Sequence, residues 1–308
     1  MGRLEGVVGA EDITVYREAG LAFISSDDRR ATLAGRPVQG AIYALDLNSR
    51  PPVISKLTSD VPTPFHPHGI SLYVSGEGLV RLFVINHRNP GEAVELFDYE
   101  DGRLIHRESI SGPQMHSPND LVAVGPRQFY VTNDHGNTSA LGRTLEEYLR
   151  LGRGNVLFYD GETFHLAAQG IRYANGINVS RDRGTVFVAS TTGGKILVYN
   201  RNGETNRLTK EGEIDLRTGV DNIELDEAGN LWVAAHPKLL TFVEHAKDEA
   251  KRSPSQVLEI TWPEREVREM LLDGGEKLSG SSVAARYQQT LLVGSVFEKH
   301  FLVCELPN

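Results

Sequence analysis

The sequence has little cysteine and no long hydrophobic segment. Its single cysteine, Cys304, cannot close an intramolecular disulfide or form a thiolate metal cluster, so any metal site has to use oxygen or imidazole ligands. No apolar run approaches the roughly 18 residues of a membrane-spanning helix. The first residues, MGRLEGVVGAEDITV, lack the apolar core of a signal peptide. We therefore expect a soluble, cytoplasmic protein.

Positive charge is in the minority. The 308 residues include 32 Lys and Arg against 41 Asp and Glu, which gives a formal net charge of −9 and a pI of about 5.6. Nucleic acid is not expected as a partner, because binding to phosphates needs a basic surface. With 40% apolar residues the chain can bury a large core, which excludes a disordered protein. We expect a single domain over residues 1–308.

Long helical patterns are nearly absent, and short runs rich in β-branched and aromatic residues dominate. One kind of run recurs at intervals of 45 to 60 residues: LAFISS (21–26), RLFVIN (81–86), QFYVTN (128–133), TVFVAS (185–190), NLWVAA (230–235) and TLLVGS (290–295). Self-similarity of this kind indicates a fold built from repeated units. One helix is predicted, over TLEEYLRL (144–151), because Leu145, Tyr148 and Leu149 share a helical face.

Strand-like segments stand before and after each run. The following ones are AIYALDL (41–47), VELFDYE (94–100), NVLFYDG (155–161), KILVYNR (195–201), LLTFVEH (239–245) and HFLVCEL (300–306), and most have a further strand behind them. Four short strands in each of six units predict an all-β, six-bladed β-propeller with four-stranded blades. The last unit lacks an outer strand, so the N-terminal strand (residues 3–8) is predicted to close the ring. Jelly-roll and tandem-sandwich folds explain the six-fold repeat poorly.

A pair of mostly polar residues stands nine to thirteen residues ahead of each run. These pairs are Glu11-Asp12, His68-Gly69, Asn119-Asp120, Asn175-Gly176, Asp221-Asn222 and Gly280-Ser281. The innermost strands of a propeller line its channel, so the starts of these strands are expected to form a ring at one mouth. Asn and Asp are also common turn residues. Five such pairs at equivalent places nevertheless favour a shared role.

Carboxylates that converge without Lys or Arg partners repel each other and are costly to bury. A hard cation removes that cost, and calcium takes six to eight oxygens from Asp, Glu, Asn and backbone carbonyls. The ring supplies this mixture through Glu11, Asn119, Asn175, Asp221 and Asn222. Strand alternation turns their neighbours Asp12 and Asp120 away from that site, where they can hold a second cation deeper in the channel.

Other catalytic motifs are missing from the sequence. It contains no G-x-S-x-G elbow, no H-E-x-x-H helix and no Walker A loop, which argues against a serine nucleophile or a zinc centre. His68 at the mouth of blade two and His87 after the adjacent strand are candidate catalytic residues, because adjacent strands bring such residues within hydrogen-bonding reach. His135 and His236 end equivalent runs and are expected to line the mouth.

Several stretches of the chain resemble the paraoxonase/arylesterase family. They are GAEDITV, HPHGISLYV, VINHRNPGEAVELFDYE, SPNDLVAVGPRQFYVTNDH, YANGINVS, VDNIELD, LWVAAHP and LLVGSVFEK, and the resemblance extends from about residue 9 to the C-terminus. It implies a six-bladed propeller with two calcium ions in its channel. It further implies hydrolysis of lactones and aryl esters, with slow cleavage of organophosphate triesters in some members. A small lactone or ester is then the expected partner.

The resemblance also implies roles for individual residues. The catalytic calcium would be held by Glu11, Asn119, Asn175, Asp221 and Asn222, and the structural calcium by Asp12, Asp120 and the backbone carbonyl of Ile70. His68 and His87 match the family's histidine dyad, and the positions of the substrate pocket are matched by Tyr173, His236, Val296 and Phe297. Membrane or lipoprotein association is not expected, because the helix at 144–151 is more charged than the family's lipid-docking helix.

The expected reaction is hydrolysis of a carboxylic ester. The cation would polarise the carbonyl and stabilise the oxyanion, and His68, assisted by His87, would activate a water as general base. The carboxylate of Asp221 or Glu11 is an alternative base. Two other functions remain open: a sugar-acid lactonase or phosphotriesterase on the same fold, and a non-catalytic binding propeller whose calcium is only structural.

Overall fold

The computed structural model describes residues 2–58, 61–88 and 91–307. The described strands form six antiparallel sheets of four strands each. The innermost strand of every sheet packs against the innermost strands of the two neighbouring sheets, which closes a ring around a central channel. The predicted six-bladed β-propeller is therefore confirmed. Residue 1 of the predicted domain, and residue 308, lie outside the described residues.

The first strand, β1 (Gly2–Glu5), belongs to the last blade. The strands of the first three blades, from the channel outward, are β2 (Ala10–Tyr16), β3 (Leu21–Ser26), β4 (Ala41–Asp46) and β5 (Val53–Lys56) in blade one, β6 (Pro67–Val74), β7 (Val80–Asn86), β8 (Ala93–Glu100) and β9 (Arg103–Ile110) in blade two, and β10 (Pro118–Ala123), β11 (Phe129–Asn133), β12 (Gly154–Tyr159) and β13 (Phe164–Ile171) in blade three.

The other three blades repeat this order. Their strands are β14 (Ala174–Val179), β15 (Thr185–Ser190), β16 (Lys195–Arg201) and β17 (Leu208–Asp215) in blade four, β18 (Gly219–Leu225), β19 (Leu231–His236), β20 (Ser255–Ile260) and β21 (Val267–Asp273) in blade five, and β22 (Ser281–Tyr287), β23 (Thr290–Ser295) and β24 (His300–Glu305) with β1 in blade six.

Strands from opposite ends of the chain close the ring. Strand β1 pairs antiparallel with β24, with Gly2 opposite Val303 and Glu5 opposite His300. Blade six therefore takes its outermost strand from the N-terminal region, as predicted. This pairing covers an edge that would otherwise be open to another strand.

The core lies between neighbouring blades. One cluster, for example, joins Phe23 and Ile42 of blade one to Leu82, Val84 and Phe97 of blade two. The inner strands are buried on both faces and are therefore continuous hydrophobic runs, whereas the outer strand β9 alternates exposed and buried residues. This difference explains why the second strand of each blade gave the clearest repeat in the sequence.

Three helices follow the second strands of blades one, three and five. They are α1 (Arg29–Leu33), α2 (Ala140–Tyr148) and α3 (Leu239–Lys247). Because the second strand runs back toward the start of the innermost strand, all three lie on one face of the wheel, which we call the mouth face. None of the described helices has the length and apolar composition needed to cross a membrane.

Two helix predictions need correction. Helix α2 covers Ala140–Tyr148 and not the predicted 144–151. The predicted apolar residues Leu145, Tyr148 and Leu149, the last of which follows the helix, are exposed to solvent. The strand predicted over 239–245 is wrong, because this segment forms α3 and the third strand of blade five is β20. Leu239 and Phe242 have the i, i+3 spacing of one helical face, and they contact glycine backbone at Gly219 and Gly280.

Candidate active site

Each innermost strand carries a β-bulge near its start. The register with the second strand shifts between Ala10 and Ile13, Pro67 and Ile70, Pro118 and Leu121, Ala174 and Ile177, Val220 and Ile223, and Ser281 and Val283. In five blades the bulge contains the predicted polar pair. A bulge releases residues from the ladder and re-aims their side chains, so the repeat predicted from the sequence corresponds to a repeated backbone irregularity.

Blade six departs from the prediction. Its bulge lies at Ser282, not at the predicted pair Gly280-Ser281. The hydroxyl of Ser282 donates to the backbone carbonyl of Glu11 at 2.7 Å, so this blade contributes to the ring by holding the backbone of blade one. Residues 280–282 are Gly, Ser and Ser, so no charged side chain in the sequence showed which of them lies in the bulge.

The five residues predicted to hold the first ion are called the outer ring from here on. Four of their oxygen atoms are buried without a hydrogen-bond partner. They are Oε2 of Glu11 and the Oδ1 atoms of Asn119, Asn175 and Asn222. Within the described part of the chain, no other buried carboxylate or amide oxygen lacks a partner. Unsatisfied buried polar atoms are rare and call for an explanation, and here all four belong to residues predicted to hold one ion.

The side-chain amide nitrogens of the three ring asparagines each have a hydrogen-bond acceptor. Their amide oxygens are therefore the atoms without a partner. Nδ2 of Asn222 donates to Glu11 Oε1 at 3.0 Å, and Nδ2 of Asn175 donates to the Thr191 hydroxyl at 3.1 Å. Nδ2 of Asn119 lies 3.5 Å from Asp134 Oδ2. The chain thus orients these amides so that only the oxygens remain available, and oxygen is the donor that a hard cation takes.

The remaining ring residue, Asp221, is bound on one side by histidine. Its Oδ2 lies 2.7 Å from Nε2 of His236, and both side chains are buried. Burial raises the pKa of Asp221, while the hydrogen bond to His236 works in the opposite direction. No three His, Cys, Asp or Glu side chains of the described residues form a metal-binding group by themselves. An ion here would therefore depend on the amides as much as on the carboxylates.

The deeper aspartates, Asp12 and Asp120, have a different environment. Oδ2 of Asp12 accepts the backbone N–H of Ile70 at 2.7 Å, and Oδ2 of Asp120 accepts that of Ile177 at 2.8 Å. In both cases the donor belongs to the next blade. The other oxygen of each carboxylate accepts the N–H of the residue that follows it. These two side chains therefore link neighbouring blades at their bulges.

Burial nevertheless makes the aspartate pair electrostatically unfavourable without a counter-ion. It raises the pKa values of Asp12 and Asp120 well above their usual range, and repulsion from Asp120 is the next largest cause for Asp12. A cation between such groups would relieve the repulsion. Carboxylate oxygens together with a backbone carbonyl, for which Ile70 is the predicted source, form a donor set that fits calcium.

Glycines allow the blades to approach each other at this depth. A Cβ atom on Gly69 would lie 2.5 Å from Asp120 Oδ1, and one on Gly176 would lie 2.5 Å from the backbone oxygen of Asp221. Any larger residue would push these neighbouring bulges apart. The glycines of the predicted pairs are thus required by close packing around the channel.

Histidines form a hydrogen-bonded chain that ends at the ring. Nδ1 of His68 lies 2.7 Å from Nε2 of His87, and Nδ1 of His87 lies 2.7 Å from Oε2 of Glu92. At the other end, Nε2 of His68 is 3.4 Å from Oε1 of Glu11. The structure thus brings His68 and His87 together, and it adds Glu92, which sequence reasoning missed because a side chain five residues after His87 has no fixed direction in a loop.

Electrostatics favours the neutral form of His68. Burial lowers its pKa well below the usual range, and the positive charge of Arg29 adds to this effect. Burial also raises the pKa of Glu11 to about 7, against the opposing influences of Arg29, Asn222 and other neighbours. His68 is therefore available as a proton acceptor, whereas Glu11 without a bound cation is only partly ionised at neutral pH.

The predicted pocket residues lie around the mouth. His236 stacks on Phe242 with ring centroids 3.8 Å apart, and Phe242 lies 5.8 Å from Phe297. Tyr173 packs edge-on against His135 at 5.1 Å, and Val296, next to Phe297, is partly exposed. Sequence reasoning missed Phe242, because it lies in the segment that was predicted as a strand.

Two cavities adjoin the ring. A cleft of about 640 Å³ opens on the mouth face and is lined by His236, Thr191, Lys238 and Leu239 among others. A cavity of about 200 Å³ lies deeper in the channel, lined by Asp120 and by later residues of the inner strands. The larger cleft reaches the ring only through His236 and Thr191, the hydrogen-bond partners of Asp221 and Asn175, and none of the five ring side chains lines it.

Comparison with known proteins identifies the family of this chain. The sequence model of the arylesterase family matches residues 5–306. Serum paraoxonase/arylesterase 1 of Homo sapiens is 35% identical over 309 residues, which cover 97% of this chain and 86% of the human protein.

Solved structures share the fold at low sequence identity. A luciferin-regenerating enzyme matches with a TM-score of 0.63 and 14% identity, over 97% of this chain and 91% of that one. Regucalcin from Agrobacterium tumefaciens, described as a calcium-binding protein, matches with a TM-score of 0.55 and 16% identity, over 95% and 85%. The fold alone follows from these structures, whereas the sequence match over nearly the whole length shows that the chain belongs to the arylesterase family.

Proposed function

We propose that this protein is a calcium-dependent hydrolase of lactones and aryl esters that works at the outer ring. Membership of the arylesterase family makes it an ester hydrolase. The observation that carries the metal dependence is the set of four buried oxygens without partners, on Glu11, Asn119, Asn175 and Asn222. Buried oxygens that the protein leaves unsatisfied, on residues at equivalent bulges, are suited to a cation.

Two ions have separate residues available. The outer one would be held by Glu11, Asn119, Asn175, Asp221 and Asn222, and the inner one by Asp12, Asp120 and the carbonyl of Ile70. The all-oxygen donor set favours calcium over zinc, and a protein described as calcium-binding shares the fold. When bound in the outer ring, calcium supplies a Lewis acid that polarises the substrate carbonyl and stabilises the developing negative charge.

The hydrogen-bonded chain gives His68 the correct tautomer for a base. If the Glu92 carboxylate accepts a proton from Nδ1 of His87, then Nε2 of His87 accepts from Nδ1 of His68. Nε2 of His68 is then unprotonated and faces the ring. From there it takes a proton from a water that attacks the carbonyl, and it returns the proton to the leaving alcohol.

A carboxylate remains the alternative base. Glu11 and Asp221 both lie in the ring, but each is also a candidate ligand, and Asp221 is already bound to His236. His68 is not among the proposed ligands, which favours the histidine as the base. The aromatic rings of His236, Phe242 and Phe297, together with Tyr173 and Val296, provide the apolar walls for the acyl or aryl group.

Chelation tests the metal dependence. We expect EDTA to lower the hydrolysis of phenyl acetate and of an aliphatic δ-lactone at least 100-fold, and we expect calcium, but not magnesium, to restore it. Magnesium demands a small octahedral site, which this ring of five side chains does not offer. Hydrolysis that persists in EDTA would contradict the proposal.

A variant distinguishes the hydrolase from a binding propeller. His68→Gln should retain calcium binding, measured by calorimetry, and lose most of its hydrolysis, because His68 is proposed as the base and not as a ligand. His165→Gln, on the exposed outer strand β13, serves as the control. Full activity of His68→Gln would transfer the role of base to a carboxylate.

A further inference from the structure

Arg29 is a positive charge at the mouth that the protein leaves largely unpaired. It is the first residue of α1, and its Nη2 makes one long contact, 3.5 Å to the backbone oxygen of Pro67, the residue before His68. Its Nε is buried without a hydrogen-bond partner. Within the described residues, no carboxylate forms an ion pair with it.

The next residue in the same helix shows the contrast. Arg30 donates to the backbone oxygens of Phe297 at 2.8 Å and His245 at 2.6 Å, and its guanidinium lies 5.0 Å above the Phe297 ring. These contacts fasten α1 to blade six and to α3, so Arg30 has a structural role. The Nε of Arg30, like that of Arg29, has no partner, but the Nη atoms of Arg29 make no contacts equivalent to those of Arg30.

The Arg29 charge acts on the ring. It is the largest influence that lowers the pKa of Glu11, and it also lowers that of His68. If the proposed function holds, the carboxylates of Glu11 and Asp221 match the two charges of the outer calcium ion. Asp134 is engaged by His135 and Ser117. The ring carboxylates are then committed to calcium and Asp134 to its neighbours, so the Arg29 guanidinium remains available to an anion.

We propose that Arg29 binds a carboxylate on the acyl part of the substrate, so that the preferred substrates are esters or lactones of acids that carry a second, anionic group. A guanidinium binds a carboxylate through two parallel N–H···O bonds, and a partly desolvated guanidinium does so more strongly than an exposed one. This inference rests on the proposed ester hydrolysis and adds its substrate class.

Matched esters test this proposal. The phenyl monoester of adipic acid and the phenyl ester of hexanoic acid have acyl chains of equal length and differ by the terminal carboxylate. In the calcium-loaded wild type, the ratio of kcat/KM for the anionic over the neutral ester should fall as sodium chloride is raised. Arg29→Gln should lower this ratio at least tenfold, and Arg29→Lys should retain part of it. Arg36→Gln, in the exposed loop after α1, is the control.

A binding measurement separates this proposal from the proposed function. The monoanilide of adipic acid is a stable analogue, and Arg29→Gln should weaken its binding at least tenfold by calorimetry, whereas Arg36→Gln should not. A ratio that stays constant because both esters change equally would overturn the proposal and would make Arg29 a positioning residue for Glu11 and His68. If the analogue binds through Arg29 but neither ester is cleaved, the proposed function fails and the anion site stands.

Discussion

The outer ring and the inner aspartates come from the same bulges, often from adjacent residues, yet the protein treats them differently. Asn119 in the outer ring has an oxygen without any donor, whereas its neighbour Asp120 accepts two backbone N–H groups. The same holds for Glu11 and Asp12 in blade one. The inner position therefore serves the fold, and the outer one is the position that we propose binds the ion.

The energetic consequence follows from burial. An unsatisfied buried polar atom costs about 1–3 kcal/mol, and the outer ring collects four of them. Nothing in the packing of the described residues compensates for that cost. A bound cation would, which is why the outer ring is the better candidate for the chemistry and the inner pair for stability.

The largest expected effect is the change in stability of the calcium-free protein with pH. Burial raises the pKa of Glu11 from 4.5 to about 7, and it also raises those of Asp12, Asp120 and Asp221. The stabilisation from these protonated groups is complete below the unfolded pKa and is lost as the pH rises through the folded value. For Glu11 alone this amounts to about 3 kcal/mol.

The Tm of the protein in EDTA should therefore fall between pH 5 and pH 8. Calcium competes with protons for the same oxygens, so the rise in Tm on adding calcium should be larger at pH 8 than at pH 5. Differential scanning calorimetry at both pH values measures this. A calcium increment that does not change with pH would show that the buried carboxylates are not its ligands.

The next effect is the contrast between two neighbouring residues. Asp120→Ala removes the acceptor for the N–H groups of Leu121 and Ile177 and should lower the free energy of unfolding of the calcium-free protein by about 2 kcal/mol. Asn119→Ala should lower it by less than about 0.5 kcal/mol, because losing the long contact from Nδ2 to Asp134 is offset by removing the unsatisfied Oδ1. Urea denaturation at pH 6 measures both.

Calcium binding should distinguish the same two variants in the outer site. Asn119→Ala should weaken the outer ion at least tenfold by calorimetry, although it barely changes stability. Equal destabilisation by the two substitutions would remove the distinction between an outer ring for ligands and inner residues for the fold.

The smallest expected effect is that of Glu92, which contacts His87 and not the outer ring itself. Glu92→Gln removes the charge that holds His87 and should lower kcat about fivefold, roughly 1 kcal/mol, with little change in KM, because Glu92 orients the histidines without touching the substrate. Glu77→Gln, in an exposed turn of blade two, is the control. A change in KM alone would place Glu92 in the pocket wall.

The ring could be predicted from the sequence because it repeats. Glu11, Asn119 and Asp221 lie in equivalent bulges of three of the six similar units. Their spacing from the buried second strands therefore identified them as candidate site residues before the fold was known. The closure of the ring was predictable for the same reason, since one unit lacked a strand. The ion-holding roles of these residues stay a proposal.

What could not be predicted lies outside the repeat. Segment 239–247 has the apolar and β-branched residues of a strand, and only its position after a second strand on the mouth face leaves it free to form α3. Phe242 and Glu92 reach the site from such irregular connections. In blade six, Gly280, Ser281 and Ser282 carry no charge, so the pattern could not show which of them the bulge selects.

The pairing of β1 with β24 has a consequence for the folding rate. Its partners, such as Gly2 and Val303, are separated by almost the whole chain, so this contact closes the longest loop in the molecule and carries the largest entropic cost of any sheet pairing. Five blades can assemble from local hairpins before this step. The propeller should therefore form most of its secondary structure early in folding and become rigid late, when β1 pairs with β24.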